Sequence, residues 1–284
     1  MVSLVVTGTS SGIGLAVARL ATSRGARVFG TLRSEADAAR VSAELGPAFT
    51  PLICDVRDAE AVGRSAATVR QSLGGQRLTG LVNNAAIAVP GPLLLQDWEE
   101  IRAQIETDLL APFLVSKTFL PLLGADPALS GPPGRIVNMS SIGGKLRQPF
   151  ATAYIASKHG IEGFTGALRR ELQPFGIHVA AVAPGVVDTP IWDKVRARLG
   201  RFDGTAYEDS YNKGVRIMVA AGKDHGLKPE AVAEVVWKAL TDPHPRLRYA
   251  PASHPILEQG VIMAMPQRVI DWSLGLIGLR RGGG

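Results

Sequence analysis

Apolar residues in this chain follow two arrangements: short unbroken runs, and longer stretches where they recur every three or four positions. The runs at 4–7, 27–31, 51–54, 78–82, 136–139 and 177–182 read as buried strands. The stretches at 12–24, 59–73 and 229–240 read as helices with one apolar face, as do the segments carrying Ala38, Val41 and Leu45 and Ile161, Phe164, Leu168 and Leu172. Trp98 leads into another helix through Ile101, Ile105, Leu109 and Leu110, and a last strand is expected near Tyr249. Strand and helix in alternation predict an α/β fold: a doubly wound parallel sheet covered on both faces. One domain is expected over 1–284, with a core at 1–190, a polar, irregular segment at 191–228, and a C-terminal helix, strand and cover at 229–284.

Composition narrows the function classes. Hydrophobic residues make up 46% of the chain, enough for a sizeable core, which excludes wholesale disorder. The net charge of +6 is scattered; Arg196, Arg198 and Arg201 form the densest basic group, and no aromatics interleave with them, so no nucleic-acid partner is expected. The most apolar long stretch, 256–279, is broken by Pro266, Gln267, Arg268 and Asp271, so no membrane span is expected. Cys54 is the single cysteine, so no internal disulfide can form. Together with a strand pattern that begins at Ser3, where a leader peptide would stand, this leads to an expected cytoplasmic location. The five histidines have no metal-ligand spacing, and no metal is expected.

Two stretches carry chemistry. Thr7-Gly8-Thr9-Ser10-Ser11-Gly12-Ile13-Gly14 joins the first strand to the first helix. Glycines there permit a tight turn and close ligand approach, and the helix N-terminus offers free N–H groups to phosphate, the arrangement that binds a dinucleotide. The second stretch runs from Arg135 through a strand ending in Ser140-Ser141 to Tyr154 and Lys158, four apart on one helical face. A phenol beside an ammonium is a candidate acid/base pair, because a nearby cation favours phenolate. Ser141 could donate to an oxygen that gains negative charge.

The glycine turn, Asn83-Asn84-Ala85, Ser141, Tyr154-x-x-x-Lys158 and Pro184-Gly185, in this order and at these distances, resemble the short-chain dehydrogenases/reductases over residues 1–190. The resemblance implies a Rossmann-type fold and an NADP(H)- or NAD(H)-dependent oxidoreductase interconverting an alcohol and a carbonyl. It assigns proton exchange to Tyr154, the lowering of its pKa and a hold on the nicotinamide ribose to Lys158, and orientation of the substrate oxygen to Ser141. Cofactor contacts are expected from Gly8, Thr9, Ser11, Gly12, Ile13, Gly14, Asp55, Val56, Asn83, Ala85, Pro184, Gly185, Val187 and Thr189, besides Tyr154 and Lys158.

At the end of the second strand, Leu32 stands where NAD-using members carry Asp, and Arg33 follows. That favours NADP(H), with NAD(H) possible; the less favoured alternative makes Arg33 a surface residue at a helix start. Asp108 falls where the family commonly has an asparagine on a proton path to the lysine, which places that relay in doubt. Ala86 replaces the usual glycine. These two departures are the support for a rival reading, a dinucleotide-binding regulatory protein with impaired turnover. The segment 191–228 is expected to close over a small-molecule substrate. The apolar tail, with Ile256, Leu257, Val261, Met263 and Trp272, suggests a bulky apolar ketone or alcohol, and a homodimer or homotetramer is expected.

Overall fold

In the computed structural model, which describes residues 1–253 and 268–269, seven parallel strands form one sheet. The elements alternate: β1 (Ser3–Val6), α1 (Gly12–Ser23), β2 (Arg27–Leu32), α2 (Glu35–Leu45), β3 (Phe49–Ile53), α3 (Ala59–Leu73) and β4 (Gly80–Asn83). Then come α4 (Trp98–Ile105), α5 (Ala111–Leu120), β5 (Arg135–Met139), α6 (Thr152–Glu171), β6 (His178–Val182), α7 (Ile191–Arg196), α8 (Glu208–His225), α9 (Pro229–Thr241) and β7 (Arg248–Tyr249). The strand order is β3-β2-β1-β4-β5-β6-β7, so the winding reverses between β1 and β4. Ligands in such sheets bind at that reversal, beyond the carboxyl ends of the strands.

The two-residue period of the strands builds two cores. Leu4, Val6, Val82, Val137, Ala180 and Val182 face one side, under α1, α2 and α9. Val5, Leu81, Ile136 and Val179 face the other, under α3, α5 and α6. Gly80 lies where α9 crosses, since a Cβ there would stand 2.6 Å from Leu240. Cys54 is buried as expected, one residue past β3.

The structure departs from expectation in two segments. Residues 191–227 are mostly helical, with α7 and α8 carrying a small core of Phe150, Val195, Phe202, Tyr211, Val215 and Val219. The polar face that made this stretch look irregular is the solvent side of α8, whose apolar positions recur at helical spacing. The helix begun by Trp98 runs on to Ala125 through a wider π turn at Glu106–Leu110, long and apolar enough to cross a bilayer by length and composition. It is instead a core helix of the fold, packed through Val115 and Phe119 among residues of α3. The residues named for the expected apolar tail, Ile256, Leu257, Val261, Met263 and Trp272, lie outside the described residues.

Candidate active site

The glycine turn forms as the sequence implies. Gly8 and Gly12 take φ of +72° and +58°, and a Cβ on Gly8 would stand 2.9 Å from the Ala85 backbone. Gly14 has no room for a side chain against the Gly8 carbonyl and Asn84, so its role is close packing of α1 on the turn. The Ser11 side chain does not cap α1, which leaves the first N–H groups of the helix turned outward for an anion.

A cavity of about 1020 Å³ opens over this turn. Its wall includes Gly8, Ser11, Gly12, Ile13, Arg33, Asp55, Val56, Ala85 and Thr189 of the expected contacts. Arg33 is exposed at its rim. Asp55 is bonded to the Arg57 amide and guanidinium, which hold its carboxyl below the usual range, so it is both a turn residue and part of the wall.

Several expected contacts are not in that wall. Thr9 is fully buried and its hydroxyl donates to the Thr31 carbonyl at 3.2 Å, so it cannot serve a phosphate. Asn83 is also buried: its amide donates to Ser116 Oγ (2.9 Å) and Asn138 Oδ1 (2.8 Å), and Asn138 donates to Thr165 (2.9 Å). This chain ties α5, β4, β5 and α6 together, so Asn83 steadies the sheet, while its neighbour Asn84 faces the cavity. Pro184 and Gly185 are joined by backbone hydrogen bonds to Ile142 and Pro251. The Val187 carbonyl accepts from the Trp192 indole at 2.7 Å.

Ser141, Tyr154 and Lys158 come together beside the strand reversal, where β5 ends and α6 begins. Ser141 accepts from the Gly143 amide at 3.0 Å and shares a hydrogen bond with the Tyr154 hydroxyl. Lys158 is buried, and its ammonium donates to the Met139 carbonyl at 3.1 Å while lying 5.6 Å from the Tyr154 ring centroid.

The expected cation-induced fall in the Tyr154 pKa is not present in this arrangement. Burial pushes the phenol up to about 12, against the opposing pull of Ser141, and the negative charge of Asp108 raises it further. Burial also lowers the Lys158 pKa, with Asp108 opposing. Tyr154 is therefore a protonated donor at neutral pH. These three residues do not line the cavity, which ends near them at Ala86–Val89 and Thr107.

Asp108 is 1% exposed, carried inward by the π turn. Its carboxylate accepts from the Ile87 amide (2.9 Å) and from Gln104 Nε2 (2.7 Å). Burial raises its pKa to about 6, opposed by Lys158 and both hydrogen bonds. The side chain is thus a fully bonded part of the site.

Sequence reasoning did not single out three contributors. Gln104 lies one turn before Asp108 and is fully buried; its i,i+4 spacing was the available signal. Arg40 reaches from α2 to the Ser10 carbonyl at 2.6 Å and brings a second cation to the glycine turn. Glu100 of α4 pairs with Arg198 (2.9 Å) and Arg201 (2.6 Å), pinning the segment after α7 over the cavity.

A phosphate-ready glycine turn at the reversal of a parallel sheet, with a serine, a buried lysine and a tyrosyl proton donor beside it, defines a dinucleotide-dependent oxidoreductase. The short chain dehydrogenase family matches residues 3–200, and the chain belongs to that family. It is 32% identical over 267 residues to an NADPH-dependent 3-dehydrocapnine reductase of Ornithobacterium rhinotracheale, covering 94% of each chain. It is 31% identical to retinol dehydrogenase 7 of Rattus norvegicus over 260 residues, 86% of this chain and 78% of that one. Among solved structures, an actinorhodin polyketide ketoreductase variant with NADPH superposes with a TM-score of 0.74 at 32% identity, over 90% of this chain and 97% of that one.

Proposed function

We propose that the protein is an NADP(H)-dependent oxidoreductase interconverting a secondary alcohol and a ketone or aldehyde on a fairly bulky apolar substrate. The carrying observation is the convergence of Ser141, Tyr154 and Lys158 next to the phosphate-ready turn. The nicotinamide supplies or accepts the hydride at the substrate carbon. In the reductive direction the Tyr154 phenol gives its proton to the carbonyl oxygen while Ser141 holds that oxygen by a hydrogen bond. Lys158, anchored on Met139 and 5.6 Å from the centroid of the Tyr154 ring, would offset part of the burial cost of the phenolate left behind without reversing it. Of the cavity-lining residues, Ser11, Gly12 and Ile13 would hold the phosphates of a bound cofactor, Asp55 and Val56 its adenine, and Thr189 its carboxamide.

NADP(H) over NAD(H) is supported by Arg33, exposed at the cavity rim with Asp37 and Asp55 in electrostatic reach, and by Arg40, which bonds the Ser10 carbonyl and pairs with Asp37 at 2.8 Å. A bulky apolar substrate is supported by Ile87, Ala88, Val89 and Leu199 at the inner end of the cavity. A homodimer or homotetramer is supported by the exposed Leu110 and by Phe113, 47% exposed and stacked on Phe164. A cytoplasmic location rests on the lack of any possible internal disulfide.

The test is parallel fluorescence titration with NADPH and NADH, followed by a ketone panel with the tighter cofactor. Tighter NADPH binding, with turnover lost in Tyr154→Phe, is the expected result. Tighter NADH binding would overturn the cofactor assignment, and tight binding without turnover would favour a regulatory dinucleotide-binding protein.

A further inference from the structure

The segment Ile87–Val89 forms part of the cavity wall, three hydrogen bonds hold it to the α4 helix and its π turn, and a fourth joins Gln104 to Asp108. The Ile87 amide donates to one oxygen of Asp108 at 2.9 Å. Gln104 Nε2 donates to the other at 2.7 Å and to the Ile87 carbonyl at 2.6 Å. Gln104 Oε1 accepts from the Val89 amide at 2.9 Å. Gln104 is fully buried and Asp108 nearly so, and every polar atom of both side chains has a partner.

The order of donors and acceptors in this ring admits one solution. Turning the Gln104 amide over would set its NH2 against the Val89 N–H and its oxygen against both the Ile87 carbonyl and Asp108. Its orientation is therefore fixed, and it presents a donor to residue 108. The Ile87 amide presents a second donor. Residue 108 must accept at both terminal atoms, which a carboxylate does. An asparagine, in either orientation, puts its own NH2 against one of the two donors.

We propose that Gln104 is a positioning residue of this enzyme, matched to Asp108 in a hydrogen-bond lock that shapes the Ile87–Val89 wall and requires a carboxylate where the family commonly has an amide. The carboxylate so required is the buried counter-charge to Lys158. From α6, Lys158 and Tyr154 are the titratable groups coupled to it. On α5 the titratable residue is Lys117, which is exposed, and the wall segment 84–89 has none. Glu99, Arg102 and Glu106 pair with one another on the outer face of α4 and the π turn. Only the kinetic consequence of the lock rests on the oxidoreductase reading above.

The test is residue-resolved amide hydrogen exchange on the NADPH complex of the wild type, Asp108→Asn, Gln104→Met and the double variant Gln104→Glu/Asp108→Asn. Asp108→Asn is expected to speed exchange at Ile87 or Val89 by about tenfold or more, the loss of one buried hydrogen bond. The double variant exchanges the two chemistries. In the protonated form that burial favours, its carboxyl at position 104 donates its O–H to the Ile87 carbonyl and accepts from the Val89 amide and the side-chain NH2 at position 108, and both backbone amides return to within about threefold of wild type. Gln104→Met keeps Asp108 and reads the lock even where Asp108→Asn does not fold: Val89 is exposed to exchange while Ile87 stays protected.

Steady-state reduction of 9,10-phenanthrenequinone by NADPH across pH adds a readout that simple loosening would not move. Losing the Gln104 donor raises the Asp108 pKa, so the acid-side limb of kcat moves to higher pH in Gln104→Met. Wild-type exchange rates in Asp108→Asn, or no recovery in the double variant, would overturn the lock. An unmoved acid limb with loosened exchange would overturn its role in positioning the proton-transfer groups. A wild type that reduces no quinone would count against the proposed activity, and the exchange rates alone would then decide the lock.

Discussion

Lys158 donates to the Met139 carbonyl across 3.1 Å, so the ammonium is held by the last residue of β5. At the strand end a buried carbonyl needs a donor, and Lys158 supplies it. The bond fixes the cation under Tyr154 before any ligand arrives. Lys158→Met keeps the stem and removes the charge. The expected outcome is a fall in kcat of about a hundredfold or more, with a lowered melting temperature, because the Met139 carbonyl loses its donor and Asp108 its buried counter-charge. Steady-state kinetics and a thermal melt on the same preparation check both parts.

Asp108 gives a pH prediction with a definite sign. Its folded pKa of about 6 lies above the ordinary value of 3.8, so the folded state holds this proton more tightly than the unfolded chain. The contribution to stability is fully present below the unfolded value and is lost as pH rises through the folded one. The stability of wild type minus that of Asp108→Asn should therefore fall by roughly 3 kcal/mol between pH 3 and pH 8, the size a shift of about two units implies. Urea denaturation of both proteins at a series of pH values measures it; a difference that rises over this window would contradict the buried-carboxylate assignment.

Arg33 stands exposed at the end of β2, and Leu32 before it is buried in the core. A 2'-phosphate would find the Arg33 guanidinium and, beyond it, Arg40. Arg33→Ala should weaken NADPH binding by about tenfold, the worth of one charge-assisted hydrogen bond in a partly solvated place. NADH binding should stay within about twofold, and the NADPH loss should shrink at high salt. Fluorescence titrations at two ionic strengths read all three.

The sheet and its helices were legible because the strands are unbroken apolar runs and the helices carry regular apolar spacing. The glycine turn and the Ser141, Tyr154 and Lys158 set were legible because residue types at fixed spacing mark them, and the structure brings the three side chains together. The failures have one physical cause: sequence does not say which way a polar side chain turns. Thr9 and Asn83 have suitable chemistry for a cofactor, yet Thr9 turns to a neighbouring strand and Asn83 to the sheet centre. Gln104 and Arg40 read as ordinary helix surface until the fold turns one inward and the other toward Ser10. The helices at 191–227 were hidden because their apolar face packs on a small satellite core, leaving the rest of their surface polar.

That satellite core decides how the segment over the cavity is held. Phe202 is buried edge-on against Tyr211, with centroids 4.7 Å apart, and Tyr211 packs in turn on Phe150 at 5.6 Å. Gly91 belongs to the same contact, since a Cβ there would stand 3.3 Å from the Phe202 ring. The Tyr211 hydroxyl, by contrast, makes only long contacts to the Pro90 and Arg198 carbonyls, at 3.4 and 3.3 Å. Ring packing thus anchors the segment together with the Glu100 pairs to Arg198 and Arg201, and the Tyr211 hydroxyl adds little. Phe202→Ala should cost about 3 kcal/mol of local packing and raise the ketone KM about tenfold. Limited proteolysis within 191–227 should become faster in step with the rise in KM, whereas Tyr211→Phe should change either readout by less than about twofold.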